Sequence, residues 1–149
     1  GCIVMRQTDK SILLLRRSIH ETSWHGMYEL PGGKLEDGET PEACAIRETN
    51  EELVVNPLNV RAAGELFFHA EDMPRIHGFV FIATDYEGTP TETDEAIPLW
   101  FKLDELPFDE MWDDDRLWLP QVLSGQRVRG YFTFVEETLL DHKVEFTAG

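Results

Sequence analysis

Apolar residues along this chain follow two spacings, and the switches between them mark out the elements. Cys2 to Met5 and Ser11 to Arg16 read as two strands around the turn-like Gln7-Thr8-Asp9-Lys10. The second strand closes on Arg16 and Arg17, a pair that suits either an exposed strand end or contact with a polyphosphate. Ser18 to Tyr28 is a long loop rich in His and Trp, the kind of segment that often carries function. The spacing then becomes helical. Thr40 is a good N-cap and Pro41 suits the first turn, because its missing N–H would have had no partner there. The pattern runs to about Leu53, where two valines and Asn56-Pro57 end it. At about 100° per residue, Ala43, Ile46 and Leu53 share one side. Glu48, Glu51 and Glu52 fall within an arc of roughly 100° on the other. The helix is predicted to have a core face and an acidic face.

Further on, Val60 to His69 and Ile76 to Asp85 are apolar runs suited to strands, separated by Glu71-Asp72-Met73-Pro74. Glu87-Gly88-Thr89-Pro90 makes a turn, and Ile97 to Lys102 gives another strand. Asp113 or Asp114 is placed to cap a short helix through about Leu123, with Ser124-Gly125 as its stop. Gly130 to Val135 and Leu139 to Phe146 alternate around Glu136-Glu137-Thr138, which predicts a terminal hairpin. Many strands with two widely separated helices predict an α/β fold with a mixed sheet and helices on its faces, not a doubly wound parallel sheet.

Composition narrows the partners. The 149 residues suit a single domain spanning 1–149, and 42% hydrophobic with 11% aromatic content excludes a disordered chain. The formal net charge of -16 opposes attraction to nucleic-acid polymers and to anionic membranes, so a free nucleotide carried in with a metal is the better anionic partner. The four lysines (Lys10, Lys34, Lys102, Lys143) against 29 acids give a balance that resembles proteins of salt-rich cytoplasms. Cys2 and Cys44 form no framework and match no metal or redox spacing; Cys44 reads as packing beside the acids. No apolar run approaches the roughly 20 residues of a membrane span and no signal-like start is present, so a cytoplasmic home is expected. The chain opens at Gly1 inside a strand pattern, so native residues are expected before it.

The helix carries the candidate chemistry. Like carboxylates at i and i+4 destabilise an isolated helix by roughly 0.2 to 0.5 kcal/mol per pair. Mg²⁺ reverses that sign, because it takes oxygen ligands and is held by one or two carboxylates plus substrate phosphates. A solvated acidic face is the ordinary meaning of such pairs, but the longer spacing argues against it. Gly33, Glu39, Arg47, Glu48, Glu51 and Glu52 fit G-x5-E-x7-R-E-U-x-E-E, which resembles the Nudix box of nucleoside-diphosphate-linked hydrolases. Two positions depart from the box: Thr49 stands where a bulky aliphatic residue is usual and Val54 where a glycine is usual. At the edge of the apolar face, the Thr49 hydroxyl is expected to bond back to the preceding turn.

The resemblance implies a Nudix fold, a three-layer α/β/α sandwich with a mixed sheet. It also implies that Glu48, Glu51 and Glu52 with the Gly32 carbonyl hold Mg²⁺ or Mn²⁺, that Arg47 orients the carboxylates, and that Glu39 pairs with Arg47. Gly33 and Lys34 would lie beside the substrate.

Gly88 to Pro120, followed by GYFTF at Gly130 to Phe134, is similar to the animal-type 8-oxo-dGTP diphosphatase branch of that family. In that branch the residues matching Trp112, Asp114 and Asp115 form the base pocket, with Phe68 lining it and Glu95 at the metal site. Two adjacent acids in a partly dry pocket resist double ionisation, so one keeps its proton and the pair offers a donor and acceptors together. Glu29 stands where the branch has a base-reading asparagine, and an ionised glutamate only accepts.

The activity implied is pyrophosphohydrolysis of a nucleoside triphosphate, such as an oxidised purine, in nucleotide-pool sanitising. Glu51, Glu52 or Glu95 would be the general base, acting in a monomer or weak homodimer. The alternatives are hydrolysis of another nucleoside diphosphate derivative and a non-catalytic nucleotide-binding module. Such a module would be expected to lose box acids, and this chain keeps all of them.

Overall fold

The computed structural model describes residues 1–17, 27–71 and 73–149. The loop expected over Ser18 to Tyr28 lies outside these residues up to Gly26, as does Asp72 of the expected turn. The described elements are β1 (Cys2–Arg6), β2 (Ser11–Arg17), β3 (Tyr28–Glu29), α1 (Pro41–Leu53), β4 (Asn56–Ala70), β5 (Met73–Glu87), β6 (Ala96–Lys102), a 3-10 turn (Phe108–Glu110), α2 (Asp115–Leu123), β7 (Gln126–Val135) and β8 (Thr138–Ala148).

The strands run in the order β3-β2-β1-β5-β4-β7-β8, with β6 pairing the free side of β2's register from Ser11↔Lys102 to Arg17↔Ala96. β1–β5 and β4–β7 are parallel and the other pairs antiparallel, so the sheet is mixed, as expected. Strand alternation divides the core between the two faces. Cys2, Val4, Leu13, Leu15, Phe81 and Ala83 pack with Ala45 and Leu53 of α1. Their neighbours Ile3, Ile12, Leu14, Val80 and Ile82 pack on the opposite side with Trp118, Leu119 and Val122 of α2. Helix, sheet and helix thus make three layers, each face stabilised at roughly 1.5 to 3 kcal/mol per fully buried large aliphatic side chain.

The α1 boundaries match the sequence reading. Thr40 Oγ1 accepts from the Ala43 N–H at 3.2 Å, and Pro41 is the first helical residue. The helix ends on Val54 in the left-handed region (φ 64°), whose N–H closes onto the Asn50 carbonyl at 2.9 Å. Val54 therefore occupies the conformation that the usual glycine would adopt without strain.

The phase of the helix differs from expectation. Ala43 is exposed and Ile46 only half-buried, while the buried residues are Cys44, Ala45, Thr49, Glu52 and Leu53. The cause is a second cover: the glycine loop before the helix lies over the edge that carries Cys44 and Glu52, and the Gly33 carbonyl is 3.6 Å from Cys44 Sγ.

The strands β4 and β5 each run to 15 residues, with Met73 and Pro74 inside β5 where a turn was expected. A register shift beside Gly64 lets β4 approach β7, and a Cβ at Gly64 would collide with the Val128 carbonyl oxygen. The expected side-chain cap of α2 is not made. Asp114 sits at the cap position without capping, and Asp113 Oδ2 instead accepts from the Leu139 N–H at 3.0 Å. Among the described residues no helix is long and apolar enough to cross a membrane.

Candidate functional site

The segment Leu30–Gly33 follows β3 and passes over the acidic side of α1. Gly32 N–H donates to Glu52 Oε1 at 2.9 Å. A Cβ built on Gly33 would collide with the Glu48 carboxylate, so glycine leaves the room in which that carboxylate lies. Helix spacing and loop together bring Glu48 and Glu52 to one strip of backbone.

Arg47 organises the outer acids. Its Nε donates to Glu39 Oε2 at 2.7 Å and Nη2 to Glu39 Oε1 at 2.9 Å, a fork-to-fork pair. Its Nη1 donates to Glu48 at 2.8 Å and to Glu51 at 3.2 Å, and Nη2 also reaches the Lys34 carbonyl at 3.1 Å. The Arg47 guanidinium holds the Glu39 carboxyl down at about 2, and the acids around Arg47 push its own pKa up. The expected Glu39–Arg47 pair and the Thr49 back-bond, 2.7 Å to the Ala45 carbonyl, are both present. The Lys34 side chain is exposed; what reaches the network is its backbone.

Glu52 is different from its neighbours. Its side chain is 1% exposed, and burial raises its pKa to about 7 against the opposing effects of the Gly32 N–H and Arg17. Arg17 Nη1 donates to Glu52 Oε2 at 2.7 Å while its Nε donates to Glu29 Oε1 at 3.0 Å. Burial disfavours the Arg17 charge, but Glu52 and Glu29 outweigh it and its pKa is raised. The sequence left Arg16 and Arg17 equivalent. The phase of β2 separates them: Arg17 continues the face of Leu13 and Leu15, which packs on α1.

A cleft of about 460 Å³ opens beside this strip, a size suited to a small ligand. Arg17, Gly32 and Gly33 line one part of it; Phe68, Trp112, Asp114 and Asp115 line another, with Glu29 between. Trp112 Nε1 donates to Glu29 Oε2 at 3.3 Å, and Trp118 Nε1 donates to Asp114 Oδ2 at 2.9 Å. Asp114 and Asp115 are buried. Burial pushes both pKa values up, and Asp115 is pushed further by the neighbouring charges of Asp114 and Glu29. Instead of capping α2, Asp114 and Asp115 form a buried acid pair that lines the cleft.

Glu95 is exposed, and no contact brings its side chain to Glu48, Glu51 or Glu52. Its loop is nevertheless tied to the end of α1, because Thr93 Oγ1 donates to the Glu52 carbonyl at 2.8 Å. Thr93, which had no motif signal, fixes that tie.

The NUDIX domain profile matches residues 1–122. The chain belongs to the Nudix family. Its relatives include the oxidized purine nucleoside triphosphate hydrolase of Danio rerio, 36% identical over 134 residues that cover 87% of this chain and 82% of that one. The mouse (Mus musculus) protein of the same name is 32% identical over 145 residues, covering 95% and 90%. Among solved structures, the MutT protein from Bacillus halodurans superposes with a TM-score of 0.85 at 27% identity, covering 97% of this chain and 95% of that one.

Nudix hydrolases are divalent-metal enzymes, and the donor set here suits a hard cation. Three carboxylates on one helix arc, with the glycine backbone against them, are oxygen ligands of the kind Mg²⁺ takes, and the space that a Gly33 side chain would fill is left to the Glu48 carboxylate. Among the described residues no three such groups converge at metal-binding distance. Arg47 pairs with Glu48 and Glu51, and Arg17 pairs with Glu52, whose other oxygen accepts from the Gly32 amide.

Proposed function

We propose that this Nudix hydrolase cleaves an oxidised purine nucleoside triphosphate, such as 8-oxo-dGTP, to the nucleoside monophosphate and pyrophosphate, sanitising the nucleotide pool of the cytoplasm. The observation that carries the reading is the buried Asp114–Asp115 pair beside Trp112 and Phe68, in the same cleft as the glycine strip and Arg17. The two Danio and mouse relatives, named for oxidised purine nucleoside triphosphates and matching over most of the chain, support the same substrate class.

Asp115, its pKa raised, donates a proton-bearing oxygen to the base edge, and Asp114 supplies an acceptor whose other contact is Trp118. Trp112 offers a stacking face worth roughly 1 to 3 kcal/mol, and Phe68 closes the pocket. Glu48, Glu51 and Glu52, with the Gly32 carbonyl and Glu95, are the ligands assigned to Mg²⁺ or Mn²⁺. A bound divalent ion supplies neutralisation of the phosphate oxygens and a water of lowered pKa. Arg47 sets the direction of the Glu48 and Glu51 carboxylates, and one of Glu51, Glu52 or Glu95 takes the water's proton. Gly33 and Lys34 lie next to the phosphates. The protein acts as a single domain, a monomer or weak homodimer, on a free nucleotide.

Glu29 favours a second reading. Both its oxygens already accept from protein donors, Arg17 and Trp112, in place of the base-reading asparagine of the branch it resembles. Hydrolysis of another nucleoside diphosphate derivative fits such a pocket.

The deciding assay incubates the protein with Mg²⁺ and a panel of ordinary and oxidised purine triphosphates, nucleotide sugars and dinucleoside polyphosphates. Preference for an oxidised purine triphosphate with release of pyrophosphate is expected. Preference for another panel member would keep the hydrolase and discard the base assignment, and binding without turnover would leave a nucleotide-holding module.

A further inference from the structure

An unbroken polar chain joins the two ends of the cleft. It runs from Trp112 Nε1–H to Glu29 (3.3 Å), from Glu29 to Arg17 Nε–H (3.0 Å), from Arg17 Nη1–H to Glu52 (2.7 Å), and from Glu52 to the Gly32 N–H (2.9 Å). Among the described residues Arg17 is the cation of this chain, and it touches both acids through different nitrogens of one guanidinium. The side chains are 23%, 18% and 1% exposed for Arg17, Glu29 and Glu52, so solvent and salt screen the pairs weakly.

A guanidinium is a rigid planar fork. Held at Nε by one acid and at Nη1 by another, it cannot follow one carboxylate without leaving the other. Both Glu52 oxygens are also occupied, one by Arg17 and one by the Gly32 amide. Each oxygen keeps a second lone pair, so a cation can take Glu52 beside the Gly32 amide, but its charge repels the like-charged Arg17.

We propose that Arg17 is a positioning residue that couples the acidic helix to the base pocket: a divalent ion taking Glu52 releases Arg17 to Glu29, which fixes Trp112 for the base. The inference rests on the assignment of the pocket and the helix given above. Coupling of this kind is reciprocal: the ion tightens base binding by the same factor as the base tightens ion binding. Glu29, at the position of a base-reading asparagine, then acts as the pocket end of this link.

The test separates the two sites by using a ligand without phosphates. Affinity for the nucleoside 8-oxo-deoxyguanosine is read from tryptophan fluorescence with and without Mn²⁺, and affinity for Mn²⁺ alone from the electron spin resonance of the free ion, at pH 8. In the unaltered protein Mn²⁺ tightens nucleoside binding by about fivefold or more. Arg17→Met binds Mn²⁺ more tightly than the unaltered protein, severalfold, and shows no effect of Mn²⁺ on the nucleoside.

Arg17→Lys keeps the charge and the fold but presents a point cation that serves one acid at a time. It binds Mn²⁺ as the unaltered protein does, yet loses the coupling. A structural role alone would not split charge from coupling in this way. Equal coupling in all three proteins, no coupling in the unaltered one, or Mn²⁺ affinity unchanged by Arg17→Met would overturn the proposal. Should the nucleoside fail to bind under either condition, the base-pocket assignment falls, while the Mn²⁺ comparison still decides whether Arg17 competes for Glu52.

Discussion

The Glu48 carboxylate lies directly against the α-carbon of Gly33, in the space that any side chain at position 33 would need. The obstruction is the far end of a flexible side chain, so relief costs little in packing but moves a metal-assigned carboxylate. Gly33→Ala is expected to change unfolding free energy by less than about 0.5 kcal/mol and to lower kcat/KM by about 10- to 100-fold, the range seen when metal ligands are mis-set. Thermal unfolding and steady-state kinetics on the same preparation check it. A destabilised protein with normal turnover per folded molecule would contradict the assignment.

Glu52 gives a pH signature to the metal-free protein. Its pKa is raised to about 7, and those of Asp114 and Asp115 are raised as well, so the folded state keeps protons that the unfolded chain releases near 4 to 4.5. With more protons bound when folded, stability falls as pH rises through that window. From 4.5 to about 7, Glu52 alone accounts for about 3 kcal/mol. Glu39, held at about 2, works in the opposite sense but only below about pH 4.5. In chelator, Tm is expected to drop between pH 5 and pH 8; a rise over that range would show that Glu52 is not buried in this way.

Replacing the same residue tests its chemistry. Glu52→Gln keeps an acceptor for the Gly32 amide, so the fold should persist, while metal-dependent turnover should fall by at least about 100-fold. Mn²⁺ binding to the unaltered protein should strengthen as pH rises through about 7, because the ligand must be ionised. Titrations at pH 6 and 8, with kinetics on the variant, measure both; undiminished turnover would remove Glu52 from the site.

Asp115→Ala should change selection rather than hydrolysis. Losing the protonated oxygen is expected to reduce the preference for 8-oxo-dGTP over dGTP by about 10- to 100-fold, the worth of one unpaired polar contact. Turnover of the poorer substrate should stay within a few-fold. Competition assays with both nucleotides give the ratio directly, and an equal loss for both would place Asp115 outside the base pocket.

The helix exit offers a stabilising change. Val54 is β-branched, left-handed and 47% exposed, a combination that strains the backbone without burying much side chain. Val54→Gly is expected to add about 1 kcal/mol and raise Tm by about 2 to 4 °C, leaving kcat unchanged. Calorimetry that finds a lower Tm would mean that the valine side chain supplies more than its conformation costs.

What the sequence disclosed follows the range of each interaction. The Thr40 cap and the Thr49 back-bond lie within four residues of their partners and local spacing predicts them, whereas the Glu39–Arg47 pair, eight residues apart, is implied by the resemblance to the Nudix box. The terminal hairpin was legible because its alternation runs for many residues on both strands. The two residues of β3 carry no period, and they form a strand only because β2 pairs with them. The packing of Cys44 agrees with its reading, but the burial of Glu52 does not follow from an angular count, which sees the helix alone, because its cover is a loop that returns over it. Composition alone makes Arg16 and Arg17 a pair, and strand phase from Leu13 and Leu15 is the signal that singles out Arg17. Asp114 looked like a helix cap because sequence order does not reveal that its oxygen faces Trp118.

The bond from Asp113 to the Leu139 amide ties the loop before α2 to the closing hairpin, whose Phe134 lines the same cleft. That hairpin lies beyond residues 1–122, whereas every acid of the α1 network lies within them. The cleft is therefore built from both sides of residue 122: Glu29, Phe68, Trp112, Asp114 and Asp115 come from within the matched length, and Phe134 and Glu136 from beyond it. Exchanging the last two strands would thus remodel one wall of the cleft while leaving its aspartate pair and the α1 acids in place.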